Sequence, residues 1–157
     1  MENVTRIASF SVNHDYIVPG MYVSRIDGDI VTYDLRTRRP NMGNYMDNLT
    51  MHSVEHMFAT YVRNSEISEN VIYFGPMGCQ TGFYLLVRNT AKEKVFDTVI
   101  ETLRKIIAHS GDMFGAAREE CGNYQNLSLA AAKTECETYL AALLTNPCRF
   151  EYPKEVQ

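Results

Sequence analysis

Two histidines one helical turn apart, with a glutamate between them, are the sharpest chemical signal in this chain: His52-Ser53-Val54-Glu55-His56. On a helix, side chains at i and i+4 lie side by side with β-carbons roughly 5–6 Å apart. That separation lets both imidazoles reach one divalent ion at about 2.0–2.1 Å from each nitrogen. Glu55 falls on the same side, beside the ligands, as a carboxylate able to exchange protons with whatever the ion holds. A solvated helix face with two incidental histidines is the bland alternative. Against it, the apolar residues Met51, Val54, Phe58, Tyr61 and Val62 recur at helical spacing on the opposite face. A polar back face ordinarily carries Lys and Glu rather than paired imidazoles.

Two histidines make a weak site, so a third ligand is required. His14 and His109 are candidates, as are the cysteines at 79, 121, 136 and 148. Cys121 is best placed by local chemistry, because it precedes Gly122 in a polar turn from which a thiolate could point inward. A half-buried loop thiol explains Cys121 equally well on the residues alone. Cys136 shares the apolar face of the last helix with Leu129, Ala132, Leu140 and Leu143 and reads as a buried structural thiol. Cys148 follows a helix-ending proline and carries no signal. Cys79 differs from all three. It sits in Gly75-Pro76-Met77-Gly78-Cys79-Gln80-Thr81-Gly82, a glycine-rich loop exposed enough for a thiol to react. A nearby metal or Arg36 could favour its thiolate; a small residue filling a crowded turn is the structural alternative.

The elements that must position these groups are legible in outline. Ile7 to Val12, Met21 to Ile26 and Ile30 to Leu35 alternate as strands do, the last two joined by Asp27-Gly28-Asp29, a tight-turn signal. The metal helix is predicted from about Leu49 to Asn64, capped near Asp47 or Asn48. Val71 to Phe74 and Phe83 to Val87 read as buried strands flanking the Cys79 loop. Further helices are predicted over Ala91 to His109, stopping at Gly111, and over Ser128 to Leu144, stopped by Asn146-Pro147. Strands first, then helices mixed with strands without regular βαβ alternation, predict an α+β class: a mostly antiparallel sheet packed against helices. No repeat, low-complexity tract or linker divides the chain, so 1–157 is expected to be a single domain.

Composition narrows the function. At 157 residues, 45% hydrophobic and 22% charged, the chain is an ordinary globular one. A net charge of −4 with Lys and Arg thinly spread argues against nucleic acid and anionic membranes as partners. The first residues lack the unbroken apolar run of a signal peptide, and no run approaches the roughly 18 residues of a membrane span. A cytoplasmic protein with unpaired cysteines is expected.

Taken together, the motifs resemble the S-ribosylhomocysteine lyase (LuxS) family. The resemblance rests on Ser9-Phe10 followed by His14, Tyr33-Asp34-Leu35-Arg36 with Pro40-Asn41, and His52-Ser53-Val54-Glu55-His56-Met57. It continues through Pro76-Met77-Gly78-Cys79-Gln80-Thr81-Gly82-Phe83-Tyr84 to Cys121-Gly122 and Ser128-Leu129. These blocks stand in family order over nearly the whole chain. The resemblance implies His52, His56 and Cys121 as metal ligands with an open fourth position, Glu55 and Cys79 as acid-base residues, and Ser9, His14 and Arg36 as substrate-pocket residues. It also implies one divalent metal per subunit, usually Fe2+ with Zn2+ or Co2+ able to substitute, and a homodimer with sites at the subunit interface. Three positions depart from the family pattern: Thr32 stands where many relatives have Lys, Tyr73 where an Asp commonly contacts the sugar, and Gly75 where a Ser is common.

The implied activity is cleavage of the thioether of S-ribosylhomocysteine to homocysteine and 4,5-dihydroxy-2,3-pentanedione, the autoinducer-2 precursor, by two sugar isomerisations and a β-elimination. Two other readings share the helix motif. His-x-x-Glu-His also occurs in inverted zinc peptidases, which take a downstream Glu as third ligand and are generally much larger. A non-catalytic, metal-stabilised binding module would need a fourth protein ligand, as structural zinc sites usually have.

Overall fold

In the computed structural model residues 3–146 and 149–155 are described. Four strands, β1 (Gly20–Asp27), β2 (Ile30–Arg36), β3 (Val71–Pro76) and β4 (Gly82–Arg88), form one antiparallel sheet in the order β1-β2-β4-β3. Three helices, α1 (Asn48–Val62), α2 (Lys92–Ala108) and α3 (Leu129–Thr145), complete the α+β architecture anticipated from the sequence. The strand and helix boundaries agree with the predicted ones to within about two residues. Pro147, read as the stop of the last helix, and Cys148 lie outside the described residues.

Period-2 alternation in β2 and β4 sends Tyr33, Leu35, Phe83, Leu85 and Val87 to one face, where they join Val54, Phe58, Leu103 and Tyr139 of the three helices in the core. The same alternation sends Asp34 and Arg36 to the other face, across from Tyr22 of β1 and Tyr84 of β4 in register. Among the described residues that face carries no α-helix. Two chain ends reach it instead. The Ser9 hydroxyl bonds the Tyr84 phenol, and the C-terminal segment pairs Phe150 with Tyr22 in a parallel bridge.

One expected strand is absent. Ile7 to Val12 forms a 3-10 turn at Ala8–Phe10 followed by another at His14–Tyr16, the second capped by Asn13 accepting from the Asp15 amide. The alternation was real, but Ser9, Ser11 and Asn13 favour local turn hydrogen bonds, and among the described residues no strand pairs with Ile7 to Val12. Val4, Ile7 and Phe10 are left 92%, 55% and 68% exposed.

Helix α1 begins where the cap signal placed it. The Asp47 carboxylate accepts from the Thr50 amide at 2.8 Å, satisfying a donor the first turn leaves free. Before it, residues 37–46 are strapped to the Cys79 loop: the Thr37 and Arg38 amides both donate to the Thr81 carbonyl, and the Met46 amide donates to the Gln80 carbonyl. Arg38 further grips the buried Glu135 of α3 through two nitrogens at 2.7 Å. The position of α1 and the shape of the Cys79 loop are therefore set together.

Candidate metal centre and thiol site

The His52–His56 pair faces neither solvent nor core. The long connection between α2 and α3 folds over it, and its backbone carbonyls hold both rings. The His52 Nδ1 lies 2.8 Å from the Asn126 carbonyl, and the His56 Nδ1 lies 3.0 Å from the Phe114 carbonyl. A carbonyl can only accept, so each Nδ1 carries the hydrogen and each Nε2 presents its lone pair. This is the tautomer a metal ligand needs, fixed by groups outside the ligand set. Gly115 makes the approach possible: at φ +65°, an added Cβ there would stand 2.8 Å from His56 Nδ1. The Ser128 amide donates to Ser53 Oγ at 2.8 Å, closing the connection back onto α1.

Cys121 arrives from that same connection. Its Sγ stands 3.3 Å from His52 Nε2, and the two imidazoles meet edge to face with centroids 4.6 Å apart. Donor atoms of His52, His56 and Cys121 all lie within 4.8 Å of one another. Ligands at 2.0–2.3 Å in tetrahedral array sit on the order of 3.5 Å apart, so the three fit one ion after small adjustment. The Asn123 amide points at Cys121 Sγ from 3.4 Å. Among the described residues no carboxylate joins the cluster. The peptidase reading wanted a Glu in it and the binding-module reading a fourth ligand; neither residue is there. Glu55 lines a cavity beside the cluster with His56, Phe114, Gly115 and Glu120.

Cys79 occupies a different setting. Exposed at the tip of the β3–β4 connection, it lines a cavity of about 290 Å³ with His14, Asn41, Tyr45 and Gln80. Gln80 holds φ +65°, uncommon for a residue with a side chain, and is secured by its side-chain amide donating to the Met46 carbonyl at 2.9 Å. Beneath the thiol runs a buried polar array. Asp34 and Arg36, 1% and 3% exposed, pair through Nε at 3.0 Å and Nη2 at 2.6 Å. Arg36 Nη1 donates to Thr81 Oγ1 at 2.8 Å and points at Cys79 Sγ from 3.9 Å; Thr81 Oγ1 itself lies 3.0 Å from the sulfur. Burial works against the Arg36 charge, but Asp34 more than offsets it, and the guanidinium titrates above its ordinary range. Gly82 permits the crossing, since a Cβ there would meet the Leu35 carbonyl at 2.7 Å.

The sequence-predicted residues thus fall into two groups. His52, His56 and Cys121 cluster, with Glu55 beside them; Cys79, Arg36 and His14 share the thiol site, with Ser9 one residue away through Tyr84. Neither of the two cavities is lined by the other group's residues. Cys136 is buried, as expected, and burial pushes its thiol well up. His109, once a candidate ligand, instead bridges Tyr61 and the Asp112 carbonyl. Sequence reading passed over Asp34, Thr81, Gly115 and the two carbonyls. Asp34 had a signal, an acid two positions from a base on one strand; backbone carbonyls have none. The departures at 73 and 75 prove to be one feature: the Tyr73 phenol lies where a Cβ on residue 75 would be. Thr32 is half-buried in β2, opposite Leu86.

A profile of the family described as S-ribosylhomocysteinase (LuxS) matches residues 7–149. The S-ribosylhomocysteine lyase of Clostridium beijerinckii is 42% identical over 147 residues, covering 90% of this chain and 92% of that one. That of Finegoldia magna is 41% identical over 142 residues, covering 87% and 90%. That of Clostridium acetobutylicum is 40% identical over 157 positions, covering 95% and 99%.

Proposed function

Since this chain belongs to the S-ribosylhomocysteinase (LuxS) family, we propose that it is a metal-dependent lyase, cleaving S-ribosylhomocysteine to homocysteine and 4,5-dihydroxy-2,3-pentanedione. The observation that carries the reading is the pairing of a His-His-Cys cluster with a separate exposed thiol over a buried arginine. His52, His56 and Cys121 would hold the ion, and Fe2+ is the proposed metal, with Zn2+ or Co2+ able to replace it. Bound there, a divalent ion supplies Lewis acidity toward the oxygens of the opened sugar.

The chain's own groups do the proton work. Cys79 Sγ takes the hydrogen from the carbon next to the sugar carbonyl and returns it to the neighbouring carbon, while Glu55 moves protons between the sugar oxygens. Done twice, this carries the carbonyl from C1 to C3. Removal of the C4 proton then expels homocysteine from C5 as a thiolate, which takes up a proton, and the remaining enol tautomerises to the dione. Arg36 Nη1 points at the Cys79 sulfur from 3.9 Å and sets a positive charge beside the base. Ser9 and His14 would line the substrate pocket.

The assembly belongs to the same reading: a homodimer with sites at the subunit interface, each protomer one such domain. Two observations support it. The metal-side and thiol-side residues line separate cavities on one chain, and the exposed Val4, Ile7 and Phe10 leave an apolar N-terminal segment to be covered. A cytoplasmic site is part of the proposal, supported by free thiols at Cys79, Cys121 and Cys136; no described helix is long and apolar enough to cross a membrane.

The test is anaerobic purification, metal analysis, and thiol release from S-ribosylhomocysteine. Cys79→Ala should keep its metal and lose turnover, whereas His56→Ala should lose both. Substantial turnover by the Cys79 variant would sink the base assignment, and peptide cleavage without thiol release would favour the peptidase alternative.

A further inference from the structure

The last described residues run back across the helix-free face of the sheet. The Phe150 amide donates to the Met21 carbonyl at 2.9 Å, and its carbonyl accepts from the Val23 amide at 2.7 Å. Two residues on, the Tyr152 ring stacks on Tyr22 with centroids 4.7 Å apart and planes 22° from parallel. Stacking aims the phenol inward, where it donates to Asp34 Oδ2 at 2.8 Å. The same oxygen accepts from Arg36 Nη2, and Arg36 Nη1 reaches Thr81 Oγ1 and the Cys79 sulfur. Three contacts, Tyr152–Asp34, Asp34–Arg36 and Arg36–Cys79, therefore lead from the C-terminal segment to the thiol. Residue 152 lies beyond the 7–149 stretch matched by the family profile.

We propose that Tyr152 is a positioning residue for Cys79, acting through Asp34 and Arg36 from a C-terminal strap. The proposal rests on the assignment of Cys79 as the reactive thiol. A buried carboxylate divides its charge among the donors it receives. Asp34 has few solvent neighbours, so every donor it receives lowers the negative potential it projects along Arg36. With the phenol in place, less of the guanidinium's charge is spent on Asp34 and more is felt at the sulfur. Without it, Oδ2 is left underbonded and turns toward Arg36, drawing Nη1 from Thr81 and Cys79. Tyr152 suits the task because it remains a donor: burial, then Asp34, push its phenol far above the ordinary range, and the Ser24 hydroxyl bonds the phenol oxygen. The groups bearing on the thiol through this array are Asp34, Arg36, Tyr84 and Tyr152.

The test is Tyr152→Phe, which keeps the ring on Tyr22 and deletes only the hydroxyl. In metal-loaded protein at neutral pH, iodoacetamide labelling of the Cys79 peptide is followed by mass spectrometry, separately from the other cysteines. Labelling should slow roughly threefold, as expected when part of a charge-assisted hydrogen bond is transmitted to the sulfur. The maximal rate of thiol release should fall by a similar factor with KM and metal content unchanged. In an Asp34→Asn background the same substitution should have no further effect. Tyr152→Phe that lowers the melting temperature while leaving Cys79 labelling untouched would show a strap that only holds the fold and would overturn the proposal. So would equal slowing in both backgrounds, because the effect would then bypass Asp34. Labelling needs no turnover, so wild-type protein that releases no thiol would refute the lyase reading and still leave this comparison decisive.

Discussion

A ligand histidine is only as good as the atom behind it. His56 is aimed by one carbonyl, that of Phe114, and the loop reaches it because residue 115 has no side chain. Gly115→Ala places a methyl group within van der Waals radius of the ring and strains a left-handed backbone as well. We expect metal affinity to fall about tenfold, with the fold intact by circular dichroism, the loss usual when such an outer partner is disturbed. Competition against a coloured chelator would measure it; unchanged affinity would mean the carbonyl does not orient the ring. The pair His52–His56 was legible because a helix makes i and i+4 neighbours whatever follows. Cys121 was only half legible: local chemistry left it level with a half-buried loop thiol and the family resemblance singled it out, because 109–127 has no periodicity and its return over α1 is fixed by contacts distant in sequence.

Helix α1 shows how local signals located an element and how their lack misplaced another. Its cap, apolar stripe and length agreed: Asp47 is the cap, and the helix starts at Asn48, one residue before the predicted Leu49. Asp47→Ala should destabilise the protein by about 1 kcal/mol, read as a lower urea midpoint with unchanged slope. Two hydrogen bonds from Thr50, side chain first and amide second, hold the Asp47 carboxyl below its ordinary range. A depressed carboxyl stabilises above its unfolded value and ceases to as pH falls through the folded one. The gap between wild type and Asp47→Ala should therefore be full at neutral pH and shrink below about pH 4; a gap that widened there would contradict the cap. The N-terminal stretch misled because alternation is necessary for a strand without being sufficient: a strand also needs a partner, and partners are not written locally. The four true strands lie next to tight turns or glycines that bring a partner alongside.

For the molecule as a whole, the separation of thiol and metal cavities makes the assembly testable without a structure of it. Mixing Cys79→Ala protein with His56→Ala protein, unfolding and refolding them together, would yield mixed dimers if the proposed homodimer forms. If each site takes its thiol from one subunit and its metal from the other, every mixed dimer regains one working site of two. Statistical pairing of inactive parents should then restore about a quarter of wild-type turnover. Parents that remain dead after mixing would place both groups on one chain. The α+β class and the mostly antiparallel sheet were accessible in outline from the sequence, while the strand order and the use of the two sheet faces were not. Burying Asp34 and Arg36 on the side without helices depends on the two chain ends that cover it.

The connection from residue 109 to 128 carries no helix or strand, yet it supplies Cys121 and both carbonyls behind the histidines. An ion bound by α1 and Cys121 would rivet this stretch to the helix, and stripping the ion would release it to fluctuate. Such a segment is where a protease finds its first accessible bond. Chelator-treated protein should be nicked between residues 113 and 125 well before the sheet is attacked, and restoring Zn2+ or Co2+ should close that window. The site of first cleavage would then serve as a gauge of occupancy, legible on a gel, for preparations whose activity has already faded.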